Sequence, residues 1–182
     1  MRIVGGELKG RRFSPPKLSP TRPTTDFAKE GLFNILENNW DLSETKFLDL
    51  FAGTGSISYE ITSRGCNDVT SIDQYAGCVN FIKKTIADLN LNTIKVYKMD
   101  VFAFIEKKAA QYDLIFAGPP YPLTTLDTIP DKIFEHQLLK PEGWLILEHN
   151  PNHKFDNHPA FLHKRNYGTT IFSIFKQNTA NG

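Results

Sequence analysis

Apolar and polar positions change period repeatedly along the chain, and each change marks an element. Ala28, Leu32, Ile35 and Leu36 recur at helical spacing behind Thr25, a suitable N-cap, with Asp26 in the first turn. Phe47–Phe51 is an apolar run broken only by Asp49, which reads as a buried strand. A glycine turn leads into a helix over about 56–64, and Val69–Asp73 is a second strand. Val79, Ile82, Ile86 and Leu89 line one face of the next helix, with Lys83 and Lys84 on the other. The pattern then predicts a strand at 94–97, a helix at 101–109, a strand at 114–117 and a helix near 128–139. Pro141-Glu142-Gly143 reads as a turn before a fifth strand, Trp144–Glu148. Only about a dozen residues separate that strand from Phe161–Arg165. This strand turns at Tyr167-Gly168 into Thr170–Phe175, a spacing that suits an antiparallel hairpin. The alternation predicts an α/β fold with a mostly parallel seven-stranded sheet and helices on both faces.

The ends of the chain differ from this body. Arg2-Ile3-Val4, the glycines 5, 6 and 10, and Arg11-Arg12-Phe13 suggest a small hairpin. Pro15, Pro16, Pro20 and Pro23 make residues 14–25 an extended connector. Residues 1–25 are therefore taken as an arm and connector, 26–176 as the main domain and 177–182 as a polar tail. A length of 182 residues, 40% hydrophobic and 23% charged, suits one ordered domain and not two. No apolar run approaches a membrane span of roughly 18 residues, and the N-terminus does not read as a signal peptide. Two cysteines, Cys66 and Cys78, cannot form a disulfide framework, so a cytoplasmic location is expected. Residues 1–30 hold seven basic and three acidic groups, although the whole chain is only +1. A basic arm on a mildly acidic body suggests a polyanionic partner.

Candidate chemistry lies at the predicted strand ends. Asp49-Leu50-Phe51-Ala52-Gly53-Thr54-Gly55-Ser56 joins the first strand to a helix, where glycines permit a sharp turn and close ligand approach. Ser58 stands where the dinucleotide fingerprint has its third glycine, which counts against a pyrophosphate site. Asp49 instead suits a cationic amine. Asp73, at the second strand end, has the acceptors for ribose hydroxyls, and Asp100, after the third, could meet an adenine amine. Together they describe a nucleoside with a cationic tail, S-adenosylmethionine. Gly118-Pro119-Pro120-Tyr121 follows the fourth strand. The prolines stiffen the loop and are expected to leave carbonyls open to an exocyclic amine, with Tyr121 stacking on a base. The five histidines show no metal-ligand spacing, so no metal is expected.

These stretches resemble a class I methyltransferase with a Rossmann-like fold, and more narrowly the bacterial 16S ribosomal RNA guanine-N2 methyltransferase family. The likeness runs from residue 2 to about 176. It rests on Arg2-Ile3-Val4-Gly5-Gly6, Gly10-Arg11-Arg12, Arg22-Pro23-Thr24-Thr25-Asp26, Leu32–Leu36, Asp49–Gly55, Ser63-Arg64-Gly65, Pro119-Pro120-Tyr121 and Arg165–Thr170. It implies methyl transfer from S-adenosylmethionine to the N2 of a guanine in small-subunit ribosomal RNA, either as naked RNA or in the 30S particle; a monomer with no membrane partner is expected. Asp49, Gly53, Gly55, Asp73, Asp100 and Thr24 would hold the cofactor. Gly118, Pro119, Pro120 and Tyr121 would face the base, and Lys9, Arg11, Arg12 and Arg22 would hold RNA.

One position departs from the pattern. The family reads Asp-Pro-Pro-Tyr or Asp-Pro-Pro-Phe, and this chain has Gly118 at the acidic position. Loss of a charge-assisted acceptor forfeits roughly 1.5–3 kcal/mol, so restoring an acid there is expected to raise transfer. An adenine-N6 or protein-glutamine methyltransferase also fits a Pro-Pro-Tyr loop, and a cofactor-retaining RNA-binding protein with weakened catalysis fits Gly118.

Overall fold

The computed structural model describes residues 1–17 and 23–178. The chain order is α1 (Asp26–Asn39), β1 (Lys46–Leu50), α2 (Ser56–Ser63), β2 (Asp68–Asp73), α3 (Ala76–Leu89), β3 (Ile94–Lys98), α4 (Val101–Glu106), β4 (Tyr112–Ala117), α5 (Ile129–Glu135), β5 (Leu139–His149), β6 (Phe161–Tyr167) and β7 (Thr170–Lys176). Single 3-10 turns at Leu42–Glu44 and Leu126–Thr128 precede β1 and α5. The strands form one seven-stranded sheet in the order β3-β2-β1-β4-β5-β7-β6. β1 to β5 pair in parallel, and β7 runs antiparallel to both β5 and β6. The chain winds outward in one direction from β1 to β3 and in the other from β4, so the crevice between the ends of β1 and β4 is the switch point where such sheets bind ligands.

The apolar patterns explain the layers. α1, α2 and α3 cover one face through Leu32, Phe33, Ile57, Ile61 and Ile82. α4 and α5 cover the other through Val101, Ile105, Ile129 and Ile133. With both faces covered, β1 and β4 read as nearly continuous apolar runs. Thr25 caps α1 as its sequence suggests, its hydroxyl accepting from the Ala28 N–H at 3.2 Å. Among the described residues no helix is long and apolar enough to cross a membrane.

Three boundaries differ from the sequence pattern. α4 stops at Glu106 and not near 109, because the chain turns away with Lys108 at φ +48°. α5 stops at Glu135 because Gln137 takes φ +54°, and Leu139 already pairs with Tyr112. Pro141-Glu142-Gly143 lies inside β5, where the β4–β5 register shifts. The chain keeps its pairing there because Gln177 bonds both sides of the irregularity, accepting from Glu142 N–H and donating to the Gly143 carbonyl.

The N-terminal residues fold back on themselves through one antiparallel bridge, Arg2 to Arg12. Ile3 N–H donates to the Arg11 carbonyl at 3.0 Å, and Gly10 N–H to the Ile3 carbonyl at 2.8 Å. This arm is fastened to α2. Glu60 accepts from the backbone N–H groups of Val4 and Gly5 at 3.0 and 2.9 Å. Ser63 Oγ accepts from Leu8 N–H and donates to the Gly5 carbonyl.

Candidate active site

A cavity of about 640 Å³ opens at the switch point, within the range usual for small-molecule sites. Its polar lining comes from the ends of consecutive strands. Asp49 lies on the floor, Gly53 and Asp73 on one side, and Asp100 at the head of α4. Gly118, Pro119, Pro120 and Tyr121 form the opposite wall, with Thr24 of the connector and Glu148 of β5. Apolar surface comes from Phe51, Ile57, Tyr75, Val101, Phe102 and Phe116.

The loop after β1 is shaped for close approach. Phe51, Gly53 and Gly55 all have positive φ, at 59°, 59° and 90°. Phe51 is the unusual member, since a bulky residue in that region is strained, and such strain gathers at functional sites. Gly55 does not line the cavity. A Cβ there would lie 2.5 Å from Tyr59 Cζ, so its bare backbone serves to start α2 beneath the loop.

The three acids sit in different surroundings. Asp49 is 1% exposed and accepts from Ser58 Oγ at 2.6 Å. Burial pushes it up to about 7, against that hydrogen bond, and neighbouring Asp73 and Glu148 add to the rise. Burial also raises Asp73, while backbone N–H groups hold it down. Its Oδ2 accepts from Gly53 at 2.8 Å and its Oδ1 from Tyr75 at 2.9 Å. Asp73 thereby ties the glycine loop to the end of β2. Asp100 is exposed and caps α4, accepting from Ala103 N–H at 3.0 Å.

Glu148 was not singled out by its sequence. It is 6% exposed, its Oε2 accepts from the Thr24 hydroxyl at 2.7 Å and its Oε1 from the Tyr121 hydroxyl at 3.0 Å. One carboxylate therefore joins the connector, β5 and the loop after β4. The Pro120 carbonyl is not left without a local partner, as the loop sequence suggested, because it accepts from Leu123 N–H at 3.0 Å and closes a turn.

Lys9, Arg11 and Arg12 are exposed on the arm and do not line the cavity. Arg22 lies outside the described residues. Cys66 and Cys78 are buried, and burial pushes both thiols up to about 11.

The acids, the aromatic walls and the cavity size fit a nucleoside carrying a cation. Asp49 offers a buried carboxyl, Asp73 and Asp100 offer acceptors, and Phe102 and Tyr75 offer flat apolar surface.

The family described as Conserved hypothetical protein 95 matches residues 1–176. The candidate rRNA methyltransferase YlbH of Bacillus subtilis is 30% identical over 97% of this chain and 99% of its own. Ribosomal RNA small subunit methyltransferase D of Escherichia coli K12 is 30% identical over 81% of this chain and 71% of its own. Among solved structures, the candidate methyltransferase YhhF of Escherichia coli superposes with a TM-score of 0.85 at 24% identity, covering 98% of both chains. The Thermus thermophilus 16S rRNA N2 G1207 methyltransferase, in complex with AdoMet and guanosine, superposes at 0.67 with 19% identity over 85% of this chain and 44% of its own.

Proposed function

The chain belongs to the Conserved hypothetical protein 95 family, and with it to the ribosomal RNA small subunit methyltransferase D family of the class I fold; from that premise we propose that it transfers a methyl group from S-adenosylmethionine to the exocyclic N2 of a guanine in small-subunit ribosomal RNA. The observation that carries this reading is the convergence of Asp49, Asp73, Asp100 and the Gly118–Tyr121 loop on one cavity. An amine acceptor needs little beyond placement, since the bound cofactor supplies an activated methyl group on a sulfonium centre.

The residues divide the work. Asp49, as a carboxylate, receives the ammonium end of the cofactor, and Ser58 holds it in place. Asp73 keeps acceptor capacity for ribose hydroxyls beyond its two backbone bonds. Asp100 offers an acceptor to the adenine amine. Pro119 and Pro120 stiffen the opposite wall, and Tyr121 stacks on the flipped base. Lys9, Arg11, Arg12 and Arg22 meet RNA phosphates outside the cavity. The chain acts as a monomer in the cytoplasm, where ribosomal particles are assembled.

The test is transfer of labelled methyl groups into 30S particles that lack the modification, with digestion of the RNA to nucleosides. Label in N2-methylguanosine supports the reading. Label in N6-methyladenosine or in protein glutamine replaces it with another amine acceptor.

A further inference from the structure

We propose that Glu148 is the catalytic carboxylate that receives the target amine; the proposal rests on the reading of this cavity as an amine methylation site. Position is the first reason. Leu147 pairs with Ala117 at the end of the parallel β4–β5 ladder, so Glu148 of β5 and Gly118, the first residue past β4, follow side by side. A Cβ on Gly118 would lie 3.9 Å from Glu148 Oε2. The space a side chain at 118 would occupy is thus bounded by the Glu148 carboxylate.

The commitments of the other acids are the second reason. Asp49 is held by Ser58 at the floor, Asp73 by two backbone N–H groups, and Asp100 by its role as helix cap. These bonds fix each acid on the cofactor side. Among the described acids of the cavity, only Glu148 bonds to the Gly118–Tyr121 loop. Its bonds to Thr24 and Tyr121 come from hydroxyls, which rotate, whereas backbone N–H groups do not. A hydroxyl that rotates away leaves its place on the carboxylate to an incoming N–H.

The chemistry balances with this carboxylate as acceptor. Glu148 accepts one N–H of the amine and turns the nitrogen lone pair towards the methyl group. The nitrogen forms the new carbon bond as the carbon–sulfur bond breaks, and that electron pair stays on sulfur. The extra proton on nitrogen passes to the Glu148 carboxylate and then to water.

The experiment compares guanosine with inosine, which lacks the 2-amino group, binding to protein loaded with S-adenosylhomocysteine. Wild-type protein should prefer guanosine by about tenfold or more. Glu148→Gln and Glu148→Ala should each reduce the preference to within about twofold. A merely structural role for Glu148 would weaken both nucleosides alike and leave the ratio unchanged. Thermal melting of the loaded variants establishes which are folded, and the isosteric Gln variant is read first. A wild-type protein indifferent to the amine overturns the proposal, as does a folded variant that keeps the full preference. Failure of the wild-type protein to methylate 30S particles overturns the substrate reading instead, and the nucleoside ratio is measured without it.

Discussion

The ammonium of Lys29 lies 3.5 Å from Glu60 Oε2, with both side chains sealed from solvent at 1% and 0% exposure. Burial lowers the Lys29 ammonium from its ordinary value, against the attraction of Glu60. The pair survives burial because each partner is also hydrogen-bonded. Lys29 donates to the Arg2 carbonyl and to Ser56 Oγ, while Glu60 accepts from Val4, Gly5 and Arg64. One buried charge cluster thus joins α1, α2 and the arm.

Glu60→Gln should be strongly destabilising. It leaves the Lys29 cation uncompensated and weakens the acceptor of two backbone N–H groups. Breaking a buried pair on one side costs about 3–5 kcal/mol, which urea unfolding measures. Lys29→Met with Glu60→Gln together should cost less than Glu60→Gln alone, because the buried Lys29 cation is gone and Arg64 keeps Glu37. A loss below about 1 kcal/mol for the single variant would contradict the assignment.

Asp49 makes stability depend on pH. Its folded value of about 7 lies above the ordinary 3.8, so between those values the folded chain holds a proton that the unfolded chain has lost. The associated stability is full below about pH 4 and is lost as pH rises through 7. Asn cannot ionise. The melting temperature of ligand-free Asp49→Asn should therefore gain on that of the wild type between pH 5 and pH 8. The same proton opposes an ammonium ligand, so S-adenosylhomocysteine affinity should weaken as pH falls below about 7 in the wild type and stay flatter in the variant. Calorimetry at matched pH values checks both.

Asp73→Ala should weaken S-adenosylhomocysteine binding by about tenfold to a hundredfold, the scale of a lost charged acceptor. The Gly53 and Tyr75 N–H groups lose their acceptor in the same change. Asp73→Asn keeps a carbonyl for one of them and should lie between. Unchanged affinity in Asp73→Ala would remove Asp73 from the cofactor site.

Arg11 and Arg12 are exposed, and Arg12 forms the bridge of the arm with Arg2. Replacing both with Ala should flatten the salt dependence of RNA affinity, reducing the logarithmic slope by up to about two. An unchanged slope would make them ordinary solvated surface.

The strand–helix alternation was legible because β1 and β4 are buried on both faces and their apolar runs have sharp ends. Asp49 within β1, Asp73 at the end of β2 and Asp100 after β3 were legible as acids that interrupt or close the predicted strands, and all three line one cavity. Glu148 was not, because Leu145-Ile146-Leu147-Glu148 reads only as an apolar run that stops at a charge. Its meaning comes from the β4–β5 register, which sets it beside Gly118. That neighbour changes the expectation for an acid at 118. A Cβ there lies 3.0 Å from Phe116 Cε1 and 3.9 Å from Glu148 Oε2, so an acid at 118 needs the ring to give way and meets a carboxylate already in place. Glu60 was hidden for a similar reason, since its burial depends on an arm docking from 55 and more residues away in sequence. The first part of β5 was hidden because Pro141 and Gly143 carry turn chemistry that the sheet absorbs as a register shift.

The bonds from Glu60 to Val4 and Gly5 make the arm part of the rigid body that carries the glycine loop. Lys9, Arg11 and Arg12 therefore stand at a set distance from the cavity. On the proposed reading, that distance works as a ruler. Many guanines in a ribosomal particle present the same chemical edge. The one that reacts is the one whose neighbouring phosphates reach the arm when its base reaches the cavity, so selection is a matter of spacing in the folded RNA more than of the bases on either side.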